Sequence, residues 1–149
     1  MTDVSIRPMR VADFGDVYEL GLQCYDVLDK PYNYWSIREV ADHLEGNPGL
    51  CFVAEADGRV VGFTLGDASF EILEDTGHLE WIAVAPEYRR RGVAARLIDR
   101  AVETFRELGK KRVVADIASG NAASRAMAAR TGFTEGISVT YWAKELELD

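Results

Sequence analysis

Apolar positions change their period several times along the chain, and each change marks an element. The short run "VSIRPM" reads as a strand. In "ADFGDVYELGLQCYDV", Phe14, Val17, Leu20 or Gly21, Cys24 and Tyr25 recur at helical spacing, and Asp13 and Asp16 sit where a helix N-terminus favours acids. A second helix runs from Ser36 to about Glu45. Ser36 and Glu39 form a capping box there, Trp35 and Val40 can staple the entry, and Gly46 with Pro48 ends it. "LCFVAEADGRVVGFTLGDAS" gives two strands, Cys51 to Ala56 and Arg59 to Ala68, joined by the tight-turn pair Asp57 and Gly58. His78 to Ala85 is a fourth strand, stopped by Pro86, which has no N–H for a ladder.

From Gly92 the period is helical again. Val93, Leu97, Ala101 and Phe105, flanked by Ala94, Ile98 and Val102, form the buried face of a helix that Gly109 closes. "RVVADIA" reads as strand five and "NAASRAMAARTGF" as a short helix capped by Asn121 and closed by Gly132. The last strand material is "FTEGISVTYWAKEL". Strand, two helices, three strands, helix, strand, helix, strand is an α/β order with a mixed sheet.

Composition narrows the partners. A chain of 149 residues with 48% hydrophobic positions is expected to form one soluble domain over residues 1–149. No apolar run approaches the roughly 20 residues of a membrane span, and "MTDVSIRPMR" lacks a signal-peptide core, so a cytoplasmic location is expected. Cys24 and Cys51 have no metal-ligand spacing and read as reduced core thiols; no metal site is expected. A net charge of -8 argues against nucleic acid and favours cationic or amine-bearing partners.

Against that acidity, Arg89, Arg90 and Arg91 stand together at a helix start. Cations there oppose the helix dipole by roughly 0.3 to 1 kcal/mol each. They are either a solvated basic turn or part of an anion site. Strand, glycine-containing loop and helix is the layout that offers free N–H groups to phosphate. "RRRGVAAR" lacks the Gly-Lys-Ser/Thr of a nucleoside triphosphate loop and the three glycines of a dinucleotide fold. Arg89-x-x-Gly92-x-Ala94 remains, with small residues that let backbone amides approach a diphosphate while arginines grip further oxygens.

This stretch, with "NAASRAMAARTGF" after strand five, resembles the acyl-CoA-binding signatures of the GNAT N-acetyltransferase superfamily, and the element order agrees from about Ser5 to Leu146. The likeness extends loosely to ribosomal-protein and N-terminal amine acetyltransferases. It implies a single α+β domain whose mixed, mostly antiparallel sheet splays between strands four and five and is flanked by about four helices. It implies acetyl-CoA as cosubstrate, with Ile82, Ala83 and Val84 pairing with the pantetheine arm as an added strand. Arg89, Arg90, Arg91, Gly92, Val93, Ala94 and Ala95 would hold the pyrophosphate, and Asn121 and Ser124 would meet the arm further along. Dimers are frequent in such a family, so a homodimer is possible.

An alkylammonium, with pKa near 10.4, must lose a proton before it attacks a thioester. On strand four, His78, Glu80 and Ile82 share one face by period two unless a bulge intervenes. Glu80, Asp116 and His78 are the candidate bases; each carboxylate equally suits an arginine-paired structural role, and His78 a surface position. By resemblance, the N–H of Val84 would hold the oxyanion. The tyrosine that such enzymes place seven residues after the asparagine is Ala128 here, which leaves the proton for the departing sulfur to Ser124, Tyr141 or water. Tyr25, Tyr32, Tyr34 and Trp35 either receive a cationic acceptor or close the core. The expectation is direct acetyl transfer, in a ternary complex, to a primary amine of a protein or small molecule. The alternative is a weakly catalytic or non-catalytic acyl-CoA sensor. A basic-patch nucleic-acid binder ranks behind both, because beyond Lys110, Lys111 and Arg112 the basic residues lie scattered among acids.

Overall fold

The computed structural model describes residues 3–26 and 31–148. Its sheet has strands β1 (Ser5–Pro8), β2 (Cys51–Ala56), β3 (Arg59–Asp67), β4 (Thr76–Val84) and β5 (Arg112–Val114), side by side in that order. The first three pairings are antiparallel and β4–β5 is parallel. Four α-helices flank it: α1 (Phe14–Cys24), α2 (Ile37–Gly46), α3 (Val93–Glu107) and α4 (Ala122–Arg130). Asp57 and Gly58 both have positive φ, 52° and 73°, as the tight β2–β3 hairpin requires.

Both faces of β3 are covered, which is why Val61 to Gly66 is buried without interruption. On one face Phe63 stacks on Trp35, with ring centroids 5.3 Å apart, beneath α1 and α2. On the other, Leu97 of α3 lies 3.3 Å from where a side chain on Gly62 would start. The α3 residues Val93, Leu97, Ile98, Ala101 and Phe105 are all buried, as their spacing predicts. At the sheet edge Arg7 bridges Asp13 and Glu55 at 2.8 and 2.6 Å, tying β1 to β2 and to the start of α1. Its guanidinium holds the Asp13 carboxyl below the usual carboxylate range.

Three features position the site. β4 and β5 pair only from Thr76 to His78 against Arg112 to Val114, then diverge, so a cleft opens between them. The β3–β4 register steps from Leu65↔Trp81 to Gly66↔Leu79 and leaves Glu80 as the extra residue of a bulge. Buried Leu79, Trp81 and Ala83 nevertheless alternate with the less completely buried His78, Glu80 and Ile82. Finally, strand five is shorter than its sequence suggests. It ends at Val114, so Asp116 lies outside the strand with its side chain 59% exposed, not within an apolar ladder. "FTEGISVTYWAKEL" forms no strand either: after Phe133 the chain runs on without sheet partners, and Tyr141 and Trp142 are exposed instead of packed.

Candidate active site

At the end of β4 the chain turns through a short 3-10 segment, Pro86–Tyr88, into α3. Arg90 and Gly92 take left-handed backbone, at φ 64° and 75°, and no side chain caps the first turn of α3. Space beside Gly92 is open for an incoming group. A phosphate-bearing ligand therefore fits this turn: free N–H groups, a positive helix end and exposed arginines converge. The arginines are not equivalent. Arg89 turns back, its Nε donating to the Val84 carbonyl at 3.1 Å and its Nη2 approaching Cys24 Sγ at 3.7 Å. Arg91 rests 5.1 Å over the Tyr88 ring, and Arg90 is exposed.

Ala85 N donates to Val61 O, so Ala85 faces β3, and by strand alternation Ala83 does too. Ile82 and Val84 turn their backbone toward the cleft, where Tyr25 Oη donates to the Ile82 carbonyl at 2.6 Å. Tyr25, Glu80, Ile82, Asp116, Asn121, Ser124, Ala128 and Phe133 are among the residues lining the cleft. Of the residues expected at the site, Glu80, Ile82, Asp116, Asn121 and Ser124 line this cleft, and Arg89 to Ala95 are not among its lining residues. The backbone of Ala83, expected to pair with the pantetheine arm, is turned to Phe63 of β3 instead. The Asn121 side-chain oxygen caps α4 through Ser124 N at 3.1 Å, which leaves its amide NH2 as the donor it can offer.

Below the cleft lies a chain of acids and imidazoles. His43 on α2 is 5% exposed, and its Nδ1 contacts the Gly66 carbonyl at 3.1 Å. Its Nε2 is 3.3 Å from Glu39 Oε1 and 3.2 Å from Glu80 Oε1. The Gly66 carbonyl can only accept, so Nδ1 carries a proton, and with Glu39 and Glu80 ionised Nε2 carries one too, which makes His43 an imidazolium. Burial opposes that charge, but the bonds to Glu39 and Glu80 outweigh it and lift the pKa to about 10. Glu39, held by His43 and by Trp81 Nε1 at 3.0 Å, falls to about 2. Tyr34 Oη donates to the other Glu80 oxygen at 3.0 Å.

His78 continues the chain, with Nδ1 3.7 Å from Glu80 Oε1 and Nε2 2.5 Å from Asp116 Oδ1. Burial lowers its pKa, yet the Asp116 contact prevails and raises it above the ordinary histidine value; His78 in turn depresses Asp116. The sequence reading singled out Glu80, His78 and Asp116 but passed over His43, Glu39 and the Tyr34 contact. Part of the signal was present: His43 stands three residues after Val40 in the buried stripe of α2, four after Glu39. The Ser36–Glu39 capping box is one-sided for the same reason. Ser36 Oγ accepts from Glu39 N at 3.1 Å, while the Glu39 carboxylate goes to His43 and Trp81.

A sheet that splays beside a glycine turn on a helix N-terminus is matched by known proteins. The model of the acetyltransferase (GNAT) family matches residues 14–133. The chain belongs to the GNAT acetyltransferases. It is 27% identical over 149 residues to an aminoglycoside N(6')-acetyltransferase type 1 of Acinetobacter haemolyticus, covering 97% of this chain and 100% of the relative. It is 32% identical over 134 residues to an L-2,4-diaminobutyric acid acetyltransferase of Nocardia farcinica, covering 89% of this chain and 67% of the relative. An aminoglycoside N-acetyltransferase solved with CoA shares the fold at a TM-score of 0.76 and 23% identity, covering 98% of this chain and 97% of the other. This GNAT protein is an acetyl-CoA-dependent N-acetyltransferase. No helix among the described residues is long and apolar enough to cross a membrane.

Proposed function

We propose that the enzyme acetylates a primary amine of a small cationic molecule carrying more than one amino group, directly from acetyl-CoA. The observation that carries this reading is the acidic lining of the cleft, which includes Glu80 and Asp116 together with Ile82. Tyr34 holds Glu80 there. A second ammonium on the acceptor is attracted to Asp116 while the first meets Glu80. The relatives named for aminoglycosides and diaminobutyric acid point the same way.

In this reading the N–H groups of Ile82 and Val84 pair with the pantetheine arm, and that of Val84 also serves the oxyanion. Arg90, Arg91 and the amides of Gly92 to Ala95 receive the pyrophosphate, and the Asn121 amide and Ser124 meet the arm. Glu80 takes the ammonium proton, directly or through a water. His78, in contact with both Asp116 and Glu80, orients the two carboxylates in this reading and is not the base. A thiolate of pKa around 8.5 leaves without the tyrosine that Ala128 replaces, with Ser124 or water supplying the proton. Cys51 is fully buried, and burial pushes its thiol up to about 12, which fits transfer without a covalent enzyme intermediate.

The test is a parallel assay of diamino acids, linear polyamines, aminoglycosides and lysine- or alanine-terminated peptides, with CoA release and product mass as readouts. A small polyamine-type acceptor is expected to win by at least tenfold in kcat/KM. Turnover restricted to peptides would overturn the acceptor class. Acetyl-CoA binding with no turnover of any amine would favour the sensor reading.

A further inference from the structure

Acetyl transfer uses Glu80 but gives no task to the whole of the cluster Glu39, His43 and Glu80. Glu39 and His43 stand one turn apart on α2, and the β4 bulge brings Glu80 to them. Among the described residues this is the one group of three histidine, cysteine or carboxylate side chains whose ligand atoms, one from each, lie within 4.8 Å of one another. His43 Nε2 is 3.3 Å from Glu39 Oε1 and 3.2 Å from Glu80 Oε1. Four donors around Zn²⁺, at bonds of roughly 2.0 to 2.1 Å, lie roughly 3.3 to 3.4 Å apart. Both spacings are thus already close to the edges of a zinc tetrahedron.

The surroundings hold each donor as metal ligands are held. A ligating imidazole ordinarily gives its other N–H to a carbonyl or carboxylate, which fixes both tautomer and ring orientation. Buried His43 does so: Nδ1 meets the Gly66 carbonyl at 3.1 Å, and Nε2 is left for an ion. Trp81 Nε1 donates to Glu39 Oε1 at 3.0 Å, and Tyr34 Oη donates to Glu80 Oε2 at 3.0 Å, so both carboxylates are oriented too. Charge points the same way. Two carboxylates against one imidazolium leave a negative charge uncompensated among mostly buried side chains, whereas a dication with a neutral imidazole leaves none.

We infer that Glu39, His43 and Glu80 bind one divalent ion of the zinc class, with water as the fourth ligand. Without the ion a proton takes the same lone pair, and His43 is the imidazolium described above. As the metal–nitrogen bond forms, the Nε2 proton passes to solvent and the two carboxylates exchange the ring for the ion. One nitrogen among the donors selects Zn²⁺ or Co²⁺ over Mg²⁺ and Ca²⁺, which take oxygen shells. The site does not depend on which amine is the acceptor. Its effect on turnover rests on the proposed role of Glu80: a carboxylate bound to the ion does not take the ammonium proton, so the metal acts as an inhibitor and not as a cofactor.

Equilibrium dialysis of chelator-stripped protein against Zn²⁺ tests it, with Glu39→Gln and His43→Gln beside the wild type. Expected are one ion per wild-type chain, binding at least tenfold weaker in each variant, and no displacement by a large excess of Mg²⁺. Absence of binding overturns the site. So does binding that either variant retains or that Mg²⁺ displaces, since the ion then sits on other carboxylates. Should the variants fail to fold, Co²⁺ on the wild type decides. The intense visible absorption of a four-coordinate ion, abolished by Zn²⁺, supports the site; the weak absorption of a six-coordinate ion overturns it. Acetylation measured on the same samples keeps the two readings apart. Bound Zn²⁺ that lowers kcat at least tenfold, reversibly with chelator, agrees with both, whereas bound Zn²⁺ with unchanged turnover supports the site and removes Glu80 as the base.

Discussion

The residue that organises the site is His43, a cation held between two carboxylates in the core. Replacing it by Gln leaves Glu39 and Glu80 facing each other without the charge between them, and removing one partner of a buried ion pair costs about 3 to 5 kcal/mol. His43→Gln should therefore lower the melting temperature by many degrees and, in the fraction that stays folded, alter the pH profile of kcat/KM, since the imidazole that Glu80 contacts is gone. An unchanged pH profile would reduce His43 to a structural role. Glu80→Gln tests the base itself: kcat should fall by roughly 10² to 10⁴ with the acetyl-CoA KM unchanged. The arginines should split. Arg90→Ala raises the acetyl-CoA KM about tenfold, the scale of one charge-assisted hydrogen bond, whereas Arg89→Ala, losing the 3.1 Å bond to the Val84 carbonyl, disturbs the end of β4 and lowers kcat as well. Equal effects on KM alone would contradict that division.

At the scale of elements, packing overrides propensity at Gly21 of α1. A Cβ there would come 2.1 Å from the Trp35 ring, so Gly21→Ala should destabilise by about 1 to 3 kcal/mol, although alanine is the better helix former by about 1 kcal/mol. Urea unfolding gives the sign directly, and a stabilised variant would show that the ring can shift. The same competition between local pattern and surroundings decides what the sequence revealed. The helix from Val93 and the hairpin at Asp57–Gly58 were legible because period and turn chemistry are written within a few residues. The bulge at Glu80 was not, since an extra residue in β4 shows only against the register of β3. Strand five is cut short at Val114 and the C-terminal strand is absent among the described residues for one shared reason: each has the right composition, but a strand exists only where another edge pairs with it. Of the site, Glu80 and Asp116 were visible as carboxylates in apolar runs, and His78 by sharing the face of Glu80 on strand four. His43 looked like an ordinary polar helix position until Gly66 and Glu80, distant in sequence, were brought to it.

For the molecule as a whole, the buried imidazolium links stability to pH. His43 has a pKa of about 10 when folded against 6.5 unperturbed, so its contribution is fully present below 6.5 and is lost as pH rises toward 10. His78, also raised, acts in the same direction. Glu39, at about 2 folded against 4.5, contributes fully above 4.5 and loses that contribution as pH falls toward 2. Stability from this cluster should therefore plateau between roughly pH 4.5 and 6.5 and decline on either side. Catalysis runs the other way above neutrality, because the free-amine fraction of an acceptor with pKa near 10.4 grows tenfold per pH unit. The enzyme is expected to gain activity with rising pH while losing thermal stability, so its activity optimum at fixed temperature should move to lower pH as the temperature is raised. Melting temperatures from pH 5 to 10, for wild type and His43→Gln, check the stability arm. The wild type should fall steadily above about pH 6.5 and the variant, already less stable, should follow a shallower slope. Parallel slopes in the two proteins would mean that His43 does not carry the proton that both ring nitrogens require.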